Sequence, residues 1–405
     1  MKNLNYKIKQ IIPFLKSLDN KSYIFSRFIS VSIKPLILFI CLTFGFKEFG
    51  TVIAMVFLVS SVNMMFCSIP IFRDFFINYN NVSSFKKKYF INKYKSEIVI
   101  LFLITLTFII PINQFFENDL EVLICSLLIF SIDKIYDEIQ RILILKKNFY
   151  DWSIITNLKN FTLIIFLANP IININILYLG IIYFFINFYK LYKYIKLSFK
   201  FNLIKEIKRF SFSIWSNKKI YVMSYLLLFN NIGDKILIGK KFKENLIEYI
   251  FLSNILSIPL LLVLFFYISK YKTEFVKNLI SFSDVALDKR FNYLLFSIFF
   301  LIFIFIVFFH NFNLLNFSIT SLLALSLIYF IKSYTLILDE IVYWKSFYKD
   351  FVLFEFLFFF LFIVIIFFTI YINITLEIFL LMLLLLFSLR FIFKYLILIK
   401  KLNLK

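Results

Sequence analysis

Charged side chains stand inside the long apolar runs of this 405-residue chain. Charge is costly in hydrocarbon, so each of them asks for a reason. The densest set follows the apolar stretch Val122–Ile132 and comprises Asp133, Lys134, Asp137, Glu138 and Arg141. That stretch is too short to cross a hydrocarbon core, which takes about 20 helical residues. The helix is therefore expected to run on through all five. At about 100° per residue they cover less than half of its circumference, and Lys134 and Glu138 have the i, i+4 spacing of a helical ion pair. Two chemistries fit. One is a polar wall lining a cavity, with acids able to bind a coupling proton or cation; the other is a self-neutralised charge network bracing the helix.

A second set is cationic. Arg27 and Lys34 are two helical turns apart on one face, with Lys34 about 10 Å deeper. Such a strip suits the phosphates of a headgroup; the alternatives are snorkelling to the membrane edge and pairing with the acids around Asp133. Arg73 and Lys159 are candidates to join it, although each alone also fits a basic anchor. Asp234 and Lys235 are expected to pair with one another or to gate an outer mouth, and Arg390 is expected at an interface. Cys41, Cys67 and Cys125 fall in apolar runs without a pairing pattern, which points to neither a disulfide nor a metal. His310 is the one histidine, a poor basis for a zinc or histidine-triad enzyme. The chain shows no phosphate-cradling glycine loop and no nucleophile elbow. No enzymatic activity, metal or cofactor is expected, and a coupling proton or sodium ion is left unassigned.

The elements that must position these residues follow from composition. The chain is 62% hydrophobic, with 61 Phe, more apolar surface than soluble cores of this length can bury. Only helices satisfy their own backbone in lipid over runs this long. The expectation is an all-α polytopic membrane protein of about twelve spans, near 24–45, 49–73, 97–115, 119–141, 152–169, 174–195, 213–236, 246–269, 291–309, 315–337, 351–372 and 376–397. The formal charge of +22 sits mostly in loops, where inward retention of basic loops explains it better than nucleic-acid binding. Lys86, Lys87, Lys88, Lys93 and Lys95 follow span two, and Lys190, Lys193, Lys196, Lys200, Lys205, Lys208 and Arg209 occupy the end of span six and the segment after it, whereas Asn113–Glu121, Ala168–Asn175 and His310–Asn316 lack Lys and Arg. Both termini are therefore expected in the cytoplasm, with Lys240, Lys241 and Lys243 dissenting. The first 22 residues are polar and basic and lead into a full-length span, so no cleavable signal peptide is expected.

The halves echo each other. Phe46-Lys47-Glu48 recurs as Phe242-Lys243-Glu244, Asp137-Glu138-Ile139 as Asp339-Glu340-Ile341, and Phe149-Tyr150 as Phe347-Tyr348, all at offsets between 196 and 202. This predicts a duplicated unit, with lobes at 1–205 and 206–405. Six spans in each make the repeats parallel, and such a pair normally encloses a central cavity.

The turn Gly45-Phe46-Lys47-Glu48-Phe49-Gly50, followed by an apolar helix closing on Ile69-Pro70-Ile71-Phe72-Arg73, resembles the start of the bacterial polysaccharide-repeat (O-antigen) flippases. That family lies within the multidrug/oligosaccharidyl-lipid/polysaccharide exporter superfamily. Asp234-Lys235-Ile236-Leu237-Ile238-Gly239, then Glu248-Tyr249, is similar to the start of the family's second half, with Glu248 in place of an expected small residue. The resemblance implies twelve helices in two lobes around a cavity. It also implies a multi-pass protein of the bacterial cytoplasmic membrane that turns an undecaprenyl-pyrophosphate-linked oligosaccharide outward by alternating access. Polysaccharide polymerase and glycosyltransferases would be its pathway partners. The rivals are a cation-coupled exporter of drugs or small metabolites on the same fold, and a membrane glycosyltransferase or polymerase. The short outer loops count against the latter.

Overall fold

A computed structural model describes residues 32–66, 100–145, 148–192, 218–259, 289–344 and 347–403, apart from single positions within them, and a few isolated residues elsewhere. Arg27, Arg73, Cys67 and the basic segment around Lys86–Lys95 lie outside the described residues. Among the described residues the chain is all-helical.

The helices are α1 (Ser32–Thr43), α2 (Lys47–Phe66), α3 (Ile100–Phe116) and α4 (Leu120–Leu145). Next, α5 (Phe149–Thr162) continues through a 3-10 turn at Leu163–Leu167 into a last turn at Ala168–Ile172. Then follow α6 (Ile176–Tyr192), α7 (Lys218–Lys241), α8 (Leu246–Leu256) and α9 (Lys289–Asn311). The last are α10 (Ile319–Trp344), α11 (Tyr348–Tyr371) and α12 (Leu376–Asn403).

Among the described residues, five helical segments are long and apolar enough to cross a membrane: Lys47–Met65, Tyr150–Ile172, Ile319–Asp339, Asp350–Tyr371 and Leu376–Lys401. Helices α4 and α7 have the length, 26 and 24 residues, but carry too much charge to read as plain spans. A 26-residue helix is about 39 Å long, more than the thickness of a hydrocarbon core. Asp133, Lys134 and Glu138 of α4 and Asp234 of α7 are buried within their own units.

Local chemistry accounts for the ends and the inner polar groups. Gly45 closes α1 with φ +79, and a side chain there would meet open space. The left-handed backbone is therefore what calls for glycine. Asn148 caps α5, its side chain accepting from the Asp151 backbone N–H at 3.2 Å. Along the helices, hydroxyls donate back to carbonyls one turn earlier, as Ser61 does to Phe57, Ser131 to Leu127 and Thr335 to Ile331. These three hydroxyls thus sit in the helices with their donors met.

The helices form two compact units. One holds α1, α2, α4, α5, α6 and α3 from Ile104 onward; the other holds α7 to α12 with residues 100–103. In the first, α4 packs against α2, α5 and α6, and α5 against α6. In the second, α10 packs against α8, α11 and α12, and α11 against α12. These four helix pairings correspond, about half a chain apart. Helix α11 shows how lipid reverses the usual pattern: Leu353, Phe356, Leu357 and Phe360 are exposed, while Phe351, Glu355, Phe358 and Phe362 form the buried stripe.

Close approach fixes one contact. A Cβ on Gly233 would lie 2.3 Å from Phe362 Cε1, so the Phe362 ring of α11 packs onto α7 at a position that has no side chain. Gly233→Val should destabilise the second unit by about 1–3 kcal/mol, read as a lower melting temperature of the purified protein in detergent. An unchanged melting temperature would mean that the two helices can part freely.

Candidate functional site: charges on the inner helix faces

In the first unit, three helices converge on Asp133 of α4. Lys34 Nζ of α1 is 3.4 Å from Oδ2, and Lys159 Nζ of α5 is 3.1 Å from Oδ1. The carboxylate is buried, with a side-chain exposure of 9% against 29% for Lys34 and 15% for Lys159. Each ammonium also lies near a ring: Lys34 is 5.0 Å from the centre of Phe57, and Lys159 is 5.8 Å from that of Tyr136. Further along α4, Lys134 pairs with Glu138 at 2.6 Å, and Arg141 reaches Asp137 at 2.9 Å and Glu138 at 3.6 Å. Four cations therefore face three carboxylates.

The i, i+4 pair read from the sequence is present, and so is the pairing of Lys34 with an acid of this helix. Two of the four proposed substrate-binding cations, Lys34 and Lys159, are brought together; the other two, Arg27 and Arg73, lie outside the described residues. Beside them runs a neutral network. Tyr136 Oη donates to Asn187 Oδ1 at 2.8 Å, Asn187 Nδ2 donates to Thr162 Oγ1 at 2.8 Å, and Gln140 donates to Thr156 at 2.7 Å. It ties α4, α5 and α6 together.

In the second unit, Asp234 of α7 is fully buried. Its Oδ2 meets Lys332 Nζ of α10 at 3.0 Å and accepts from Tyr249 Oη of α8 at 2.8 Å. Successive helical residues diverge by about 100°, so Lys235 leaves α7 in another direction from its neighbour. Asp234 is accordingly committed to the interior of its own unit. Glu248, the departure from the resembled pattern, is buried and accepts from the Asn316 backbone N–H at 2.7 Å. It fastens α8 to the turn that leads into α10, a task no small residue could perform.

A cluster of four buried charges lies at the junction of α10, α11 and α12. Arg390 donates to Glu355 at 3.0 Å and to Asp339 at 3.2 Å, and Lys394 contacts both acids. Asn230 of α7 donates to Glu355 at 3.1 Å. Two cations and two carboxylates cancel, and Met223, Ile337, Phe351 and Leu398 belong to the apolar core beside them. The expectation that Arg390 is interfacial is corrected: it is 2% exposed and midway along α12, because two acids on neighbouring helices neutralise it. Lys332, Glu355 and Lys394 were missed in the sequence. Each is a single charge in an apolar run, and Arg390 and Lys394 form a like-charged i, i+4 pair, which is unfavourable unless carboxylates face it.

No family model matches the chain, and neither a curated protein nor a solved structure matches it. The sites are defined by their own geometry.

Removing one member of a buried ion pair leaves its partner uncompensated, at a cost of about 3–5 kcal/mol. Glu355→Ala should therefore depress the melting temperature strongly. Replacing Glu355 and Lys394 together by Leu should recover most of the loss, since the pair is removed without stranding a charge. A double variant no more stable than Glu355→Ala would show that the cluster is not held by mutual neutralisation.

Proposed function

We propose that the protein is a flippase for a lipid-linked oligosaccharide, carried by the juxtaposition of Lys34 and Lys159 at one buried acid. On this reading it spans the bacterial cytoplasmic membrane with twelve helices in two lobes. It passes undecaprenyl-pyrophosphate-linked sugar outward by alternating access, without covalent chemistry. A pyrophosphate crossing a bilayer needs basic partners within the span, and the first unit supplies four cations against three acids. An inside-negative potential favours outward passage by about 2.3 kcal/mol per negative charge per 100 mV. The cation-coupled exporter, which would use Asp133, Asp137 or Glu138, fits less well, because each of these acids already faces a cation. Polymerase and glycosyltransferases of the same pathway are the proposed partners.

Lys34→Ala should lower surface polysaccharide about tenfold or more, with the protein still in the membrane at its normal level. Depletion of the protein should accumulate lipid-linked sugar in the inner leaflet. Normal polysaccharide in the variant, or sensitivity to drugs without such accumulation on depletion, would favour the exporter.

A further inference from the structure

Corresponding helices are bridged in both units, with the charges exchanged. In the first, Lys34 on α1 meets Asp133 on α4, 99 residues away; in the second, Asp234 on α7 meets Lys332 on α10, 98 residues away. The bridges differ in access. Asp234 and Lys332 have side-chain exposures of 0% and 5%, and Tyr249 engages the same carboxylate oxygen as Lys332. Lys34 stands farther from its acid than Lys159 does, and is the more exposed of the two.

The double occupancy of Asp133 matters for what Lys34 can do. A buried acid with one partner cannot release it without becoming an uncompensated charge. Asp133 has two, so Lys34 can depart while Lys159 stays. An ammonium is a compact charge with freely rotating donors, and it moves from one oxyanion to another without the fork geometry that a guanidinium demands. The nearby Phe57 ring offers it a favourable face on the way.

Building on the flippase reading, we propose that Asp133 is a resident counter-ion. It holds Lys34 until a phosphate or pyrophosphate group arrives, then yields that ammonium to the ligand while Lys159 keeps the carboxylate neutralised. Lys34 is the binding group, and Lys159 and Asp133 are positioning residues. The sealed Asp234–Lys332 bridge has a single ammonium partner among the described residues and stays closed.

The test is calorimetric binding of farnesyl pyrophosphate, inorganic pyrophosphate and farnesol to the purified full chain in detergent. Lys34→Ala should weaken farnesyl pyrophosphate about tenfold or more. Lys159→Met should weaken it too, although Lys34 is intact, because Lys34 is then the sole partner of Asp133. Adding Asp133→Asn to Lys159→Met should restore affinity to within about twofold of the starting protein, and Lys159→Arg should bind normally. A merely structural role for Lys159 predicts no such rescue. If Lys159→Met fails to elute as a folded protein, Asp133→Asn alone decides: tighter binding supports the proposal, and unchanged or weaker binding overturns it. A double variant as weak as Lys159→Met overturns the counter-ion while a Lys34→Ala defect keeps the headgroup reading. Free pyrophosphate binding as well as farnesyl pyrophosphate, with the rescue intact, keeps the exchange and overturns the lipid headgroup. Farnesyl pyrophosphate binding no better than farnesol overturns both.

Discussion

A charge placed among lipid-facing helices must be met by an opposite charge on another helix, and this requirement organises both units. Hydrophobicity cannot choose which helices pair in a bilayer, because a lipid tail is as apolar as a leucine. Packing, polar contacts and charge make the choice. Here α1 and α5 are drawn to α4 by one carboxylate, α7 to α10 by one ion pair, and α10, α11 and α12 to one another by four charges. The glycine at position 233 and the hydroxyls that donate to their own helices refine a packing whose partners are selected electrostatically.

The two units solve the same problem with different chemistry. Where α4, α5 and α6 meet, Tyr136, Asn187 and Thr162 form a neutral chain of hydrogen bonds. Where α10, α11 and α12 meet, a cancelled quartet of charges takes that place. A neutral chain loses one hydrogen bond when it is disturbed, whereas a quartet loses the compensation of a buried charge. The second junction is therefore the costlier one to disturb, and Lys34 and Lys159 of the first unit keep some exposure.

Much of this was legible in the residues. Apolar runs locate the helices, and the similar helix pairings in both units agree with the echoes at Phe46-Lys47-Glu48 and Asp137-Glu138. The acids after Ile132 were correctly placed on a continuing helix, and Lys134–Glu138 follows from local spacing alone. Of the partners about a hundred positions apart, Lys34 with the acids around Asp133 was one of several open readings and Asp234 with Lys332 was not readable, because spacing within a helix says nothing of its neighbour. Arg390 illustrates the loss. Near a run's polar end it reads as an anchor, and only the fold reveals Asp339 and Glu355 opposite. Lys332 and Glu355 went unread because one charge in a long apolar run leaves no pattern, even though its rarity there is the signal.

The reversed polarity of the two bridges bears on how such a chain assembles. A membrane protein whose two units pair their helices in corresponding ways risks threading a helix of one unit into the berth of its counterpart. Were α1 to take α7's place beside α10, Lys34 would confront Lys332; were α7 to settle on α4, Asp234 would confront Asp133. Each mismatch sets like charges together in a medium with little screening, while each correct match cancels them. The inversion thus acts as a keyed plug, letting the nascent chain tell its first half from its second.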